Sequence, residues 1–310
     1  FCKNVTWHDG SGEGSLFISA SPYYDSLAHA RLKVPNTANA GNLLSASTSL
    51  WSTGFHIDLL SNVTFAGNWR ITQKALLNGK GHTFEMSGGV LDCEADLYLS
   101  DIVLGNVAAS SFDNTADVDL YLNNVTWVDD STEGIVRITG NTEDTTVDAA
   151  QVELATSNSG NLFSTAVNWK NGANIELLKG ITFSTGAAWT FTKSSVINGN
   201  WNFIDLNSVS GTDPITVASG QTLKIADAVI KGWGNSDITF AGATLELSNV
   251  TIVLDDDVTL GATEDIVING AVRFVTGSNK FDASLANSDN YLNGMTVWYD
   301  TLGTLDQSNL

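Results

Sequence analysis

Proline is nearly missing from this chain, with three residues in 310, and cysteine stops at two. Basic residues are scarce as well: 14 Lys and Arg stand against 34 Asp and Glu, a formal net charge of -20. That shortage excludes nucleic acid as a partner, because phosphate binding rests on clustered Lys and Arg. It favours an acidic, solvated surface that attracts divalent cations or basic partners. No apolar run approaches the roughly 18 residues that would span a membrane as a helix. Leucine-rich stripes of period 3.6 are also missing, which argues against amphipathic helices. What fills the chain instead are short runs of alternating apolar and polar residues, punctuated by 28 Gly and many Asn, Asp, Ser and Thr. That is the pattern of strands and turns, and the fold class expected is all-β.

The two cysteines, Cys2 and Cys93, leave two readings open. In an oxidising compartment they form one disulfide, within a chain or between chains; otherwise both are free thiols, Cys93 half-buried. No C-x-x-C or Cys/His cluster suggests a structural metal. The chain begins at Phe1 rather than Met. From this we expect a removed leader, a secretory signal being the simplest, and an extracellular or cell-surface location.

The tripeptide N-V-T begins at Asn4, Asn62, Asn124 and Asn249, and each copy is formally an N-glycosylation acceptor. Aligned on the residues around them, Asp101, Gly180, Asp227 and Gly294 occupy the same position in four further copies. The next residue and the third residue after it are apolar in all eight, as in Val125 and Trp127, or Val250 and Ile252. The apolar alternation changes phase at this position: in LYLNNVTW the inward residues are Leu120 and Leu122 before it, then Val125 and Trp127 after it. A strand of period two changes phase only at a bend or an inserted residue. Asn, Asp and Gly are the types that most readily accept a left-handed backbone. These eight positions therefore read as corners where one strand ends and the next begins. HIDLLSN and NIELLKG carry an adjacent Leu pair, so wider corners are expected at Asn62 and Gly180.

Copies recur every 22–23 residues or at multiples of about that, and residues 41–79 match 160–199 at an offset of about 118–120. Short strands joined by such corners build a solenoid in which each coil lies on the last. In LLNGKGHTF (76–84), SVINGNWNF (195–203), TLELSNVTI (244–252) and the N-V-T corners, the chain resembles the secreted bacterial right-handed parallel β-helix surface proteins. The resemblance covers residues 42–300 and implies a right-handed parallel β-helix of about 12–14 coils of roughly 20–23 residues. Residues 1–41 are read as a less regular N-terminal cap. Tyr23 through Leu32 form a short helix or, preferably, part of that cap. Residues 42–310 are the β-helix with its internal duplication.

Such folds host enzymes and structural proteins alike, so function has to come from particular residues. General acid-base hydrolysis needs two converging carboxyls, and no catalytic constellation is visible. Asp129 and Asp130, and Asp255, Asp256 and Asp257, lie in acidic turns close enough to share calcium; solvated loops are the plainer reading. Trp7 and Trp127 are expected inside, and the repeat pairs Trp69 with Trp189 as packing residues. Tyr98 and Tyr121 are expected outside, available to stack on sugars or to form a subunit interface. The C-terminal half keeps its repeat signature to YLNGMTVW (291–298), an end suited to receiving another chain. The resulting expectation is a structural subunit of a surface filament assembling head to tail. Alternatives are a surface adhesin or glycan-binding β-helix, and a polysaccharide lyase or hydrolase. No cofactor other than calcium is expected.

Overall fold

The computed structural model describes residues 1–10, 12–23, 29–34, 42–45, 48–114, 118–131, 133–140, 149–154, 161–206 and 213–282, together with the backbone of 292–300 and 305–306. The regular elements among them are all strands, stacked as parallel coils into a β-solenoid of about 10 turns. They fall into two compact units. The first comprises residues 1–132, 137–139 and 148–165, and the second 133–136, 140–147 and 166–310.

In the first unit, Phe55–Leu59, Ala75–Asn78, Leu97–Val107 and Asp119–Asp129 lie side by side in parallel, bringing Ile57, Leu77, Leu99 and Leu122 into one ladder. A second parallel sheet joins Ser49–Trp51, Asn68–Ile71, Val90–Cys93 and Phe112–Asn114. Alternate residues of both sheets point inward. There Trp51 and Trp69 meet edge to face at 5.6 Å, and Phe65 and Phe84 tilt against each other at 5.0 Å. The second unit repeats the scheme. Ile175, Ile197, Ile225, Leu247 and Ile268 form a buried aliphatic ladder through Ala173–Lys179, Ser195–Asn198, Thr222–Trp233, Thr244–Leu254 and Asp265–Val275. Leu292–Asp300 adds a further parallel strand to Asp265–Val275. Burial of this kind stabilises by about 25 cal/mol per Å² of apolar surface, which is why the inward positions are nearly all Ile, Leu, Val, Phe or Trp.

Two features depart from an unbroken parallel stack. Ser15–Ala20 runs antiparallel to Phe55–Leu59, and Val5–His8 runs antiparallel to Ser15–Ala20. Leu16 and Ile18 of this antiparallel pair are fully buried, within the first unit. Of the stretch Tyr23–Leu32 raised as a short helix, residues 24–28 lie outside the described residues. Ala150–Leu154 is likewise antiparallel to Asp119–Asp129, with Leu120 opposite Val152. Chain spent on antiparallel strands and their connections is chain not wound into parallel coils, hence about 10 turns rather than 12–14.

Five corner residues have left-handed backbones: Asn4 (φ 54°), Asp101 (46°), Asn124 (54°), Asp227 (48°) and Asn249 (55°). On either side of Asp101 the buried residues are Leu97 and Leu99, then Ile102 and Leu104, so the phase changes where φ changes sign. Asn62 and Gly180 do not follow this rule. Neither has positive φ, and the chain turns there with Leu60 and Leu178 pushed out into solvent. Gly180 is required for space rather than for φ: a Cβ on it would lie 2.4 Å from the ring of Phe203. Gly294 lies inside Leu292–Asp300, in register opposite the step from Asn269 to Ala271. Gly270 (φ 88°), in that step, is a left-handed corner that the N-V-T pattern does not mark.

Candidate functional site

The same three-rung column is built once in each unit. It begins with an Asn-Gly turn, at Asn78-Gly79 and again at Asn198-Gly199. The Asn side chain closes the turn by accepting the N–H two residues on, from Lys80 and from Asn200, both at 3.1 Å. Glycine follows because the next rung comes too close for a side chain. A Cβ would lie 2.5 Å from Asp101 O in the first copy and 2.5 Å from the Ala228 Cβ in the second. The turn then donates to the corner above it, Gly81 N–H to Asp101 O at 2.8 Å and Trp201 N–H to Asp227 O at 2.6 Å. One rung further, Asn124 Nδ2 donates to Asp101 Oδ1 at 2.8 Å and Asn249 Nδ2 to Asp227 Oδ1 at 3.0 Å. Asn124 and Asn249 are thus left-handed corners whose amides also tie adjacent coils together.

The two columns differ at their turns. In the first, Lys80 (φ 51°) and Gly81 (φ 82°) are followed by Thr83. A cleft of about 540 Å³ opens beside them, flanked by the corners Asp101 and Asn124 and by Lys80 and Arg137. Lys80 Nζ lies 3.6 Å from Asp58. In the second, Asn200 (φ 48°) and Trp201 (φ 64°) are followed by Phe203. A left-handed backbone costs a bulky L-residue roughly 1–2 kcal/mol, yet Trp201 stays 71 % exposed. Phe203 packs over Gly180, and Lys231 Nζ sits 4.0 Å above its ring.

The carboxylates of the acidic turns are engaged in local hydrogen bonds. Asp129 is buried, and its carboxylate accepts from Ser131 N–H, Ser131 Oγ and Asn161 Nδ2. Neighbouring Asp130 is exposed, its carboxyl held above the usual range by partial desolvation and then by the Asp129 charge. Asp255, Asp256 and Asp257 are exposed; Asp256 caps Asp257 N–H at 2.8 Å, and Asp257 accepts Lys280 N–H at 2.7 Å. Asp237, absent from the expected set, is buried close by, its carboxyl raised by burial although Gly234 N–H donates to it. Among the described residues no three His, Cys, Asp or Glu side chains could hold a metal ion, and no helix is long and apolar enough to cross a membrane.

Cys2 and Cys93 are free thiols rather than a disulfide within the chain. Cys93 ends an inner strand, fully buried with its Sγ directed at Leu91 O, and burial pushes its thiol well above the ordinary range. Half-buried Cys2 pairs by backbone with Ala30. All four N-V-T asparagines are exposed. Trp69, Trp127 and Trp189 are buried as expected, but Trp7, on the outer strand Val5–His8, remains half-exposed. Tyr98 and Tyr121 are half-buried in a stack with Tyr23, ring centroids 4.2 Å apart at each step. Tyr98 is thereby covered by a ring on each face, Tyr23 on one and Tyr121 on the other.

No family model, curated protein or solved structure matches the chain.

Proposed function

We infer that this β-solenoid is a structural subunit that assembles end to end through its open strand edges, in an extracellular or cell-surface setting. The observation that carries the reading is the last parallel strand of the second unit. Leu292–Asp300 pairs with Asp265–Val275 along one edge, and no strand among the described residues pairs with the other. In the first unit, Val5–His8 pairs only with Ser15–Ala20 among the described strands, and Val5 and Trp7 on it are half-exposed. An unpaired edge presents a row of N–H and C=O groups that accepts another strand. When one edge of each copy receives a different edge of the next, the contact does not close, and a filament results.

A surface-binding role is favoured by one separate observation, the exposed Trp201. Electron microscopy of the purified full chain should show particles joined end to end, with lengths that grow as concentration rises. Single particles at every concentration would overturn the assembly reading.

A further inference from the structure

The duplicated turn supplies its own control. Gly81 and Trp201 occupy the same place: each follows an Asn-Gly turn, each has positive φ, and each donates its N–H to the Asp corner of the next rung. Glycine meets every backbone demand of that place. The second copy instead carries the largest side chain, strained and 71 % exposed. Packing therefore does not explain Trp201, because a buried role would hide it and a turn role would not use it.

The side chains on either side of Trp201 in sequence are held in place. Asn200 Nδ2 donates to Glu176 Oε1 at 2.9 Å and to Leu177 O at 3.2 Å, while Asn202 Nδ2 donates to Leu177 O at 3.1 Å. Both amides are fixed through their nitrogens, and the oxygens Asn200 Oδ1 and Asn202 Oδ1 accept nothing among the described residues. They flank Trp201 in sequence, one residue to either side. Leu178, next to the shared acceptor Leu177, is 39 % exposed.

We propose that Trp201, flanked by Asn200 and Asn202, is a binding platform for a neutral glycan. A pyranose ring offers an apolar C–H face to an indole and hydroxyl donors at its rim, and here one exposed ring has an amide side chain one residue to either side in sequence. One indole and one leucine make too little apolar area for a stable protein interface, which takes roughly 800 Å² from each partner. Anionic sugars are disfavoured by Glu176 and Asp227 on the same column. Quaternary ammonium ligands are recognised by cages of aromatic faces, and here a single face is open. The platform lies on the outer face of a coil and does not depend on end-to-end assembly.

The test uses the full chain and its Trp201→Gly variant, which installs the residue of the first copy and keeps the turn. Neutral gluco- and manno-oligosaccharides are titrated in, with binding read by calorimetry and indole fluorescence. A uronate oligosaccharide and choline serve as the charged arms. The proposal expects saturable binding of a neutral oligosaccharide, weakened by at least about tenfold in Trp201→Gly, with an unchanged β-sheet circular dichroism spectrum. Equal binding by the variant would overturn it, as would silence across the neutral sugars or a preference for uronate or choline. Loss of self-association, rather than of sugar binding, in Trp201→Gly would also overturn it and assign the indole to a contact between copies.

Discussion

Replacing Asn124 by alanine and, separately, by glycine divides what this residue does into two parts. Its backbone is left-handed, at φ 54°, and its amide donates to Asp101 Oδ1 at 2.8 Å in an exposed setting. Glycine keeps the backbone and loses the hydrogen bond, which costs about 0.5–1.5 kcal/mol at most for a pair open to water. Alanine loses the same bond and adds roughly 1–2 kcal/mol for a Cβ in the left-handed region. The alanine variant should therefore be less stable than the glycine variant by about 1–2 kcal/mol. Thr126→Val destroys the acceptor tripeptide without touching the corner and should cost less than about 0.5 kcal/mol. Urea unfolding followed by circular dichroism gives the comparison. It is read as differences between variants, because a chain of two units need not unfold in one step. Equal stability of the alanine and glycine variants would refute the corner reading. So would a Thr126→Val penalty as large as that of Asn124→Ala.

Gly180→Asn, which restores the residue type of most other corners, should destabilise the second unit by about 1–3 kcal/mol, because the new side chain meets the Phe203 ring. Adding Phe203→Thr, the residue at the matching place in the first copy, should recover part of the loss in a double-mutant cycle; independent, additive effects would contradict the steric account. The tyrosine stack should be visible in a pH titration. Tyr23 and Tyr121 are both pushed up to about 12, by burial first and then by neighbouring Tyr98. Free phenols ionise near 10, so between about pH 10 and 12 the unfolded chain has lost protons that the folded chain keeps. Stability should hold below that window and fall as pH rises through it, with phenolate absorbance of the folded protein lagging that of the urea-unfolded chain. Coincident titration curves would contradict the buried stack.

The corners were legible because a phase change in a period-two pattern leaves few physical options, and Asp101, Asn124 and Asn249 each show it cleanly. The reason for Gly180 was not legible: glycine chosen for space looks like glycine chosen for φ until Phe203 is seen lying over it. Gly270 was missed because the step from Asn269 to Ala271 spreads the corner over a register shift that hides the motif. Direction was illegible too, since Ser15–Ala20 alternates in the same way whether its neighbour runs parallel or antiparallel. Trp201 stood in the sequence as one of nine tryptophans. Its left-handed backbone and its exposure, at the place that Gly81 holds in the other copy, separate it from those that fill the core.

End-to-end assembly is tested most directly by joining the two proposed edges across copies. In a Cys2→Ser background, one chain carries Thr6→Cys on Val5–His8 and a second carries Thr296→Cys on Leu292–Asp300. The two are mixed under assembly conditions and oxidised gently. Pairing of these edges predicts a reductant-sensitive heterodimer of the two chains, formed far more readily than either homodimer and abolished in urea. Failure of the mixed pair to cross-link above the homodimer background, in samples where particles have joined, would contradict the account.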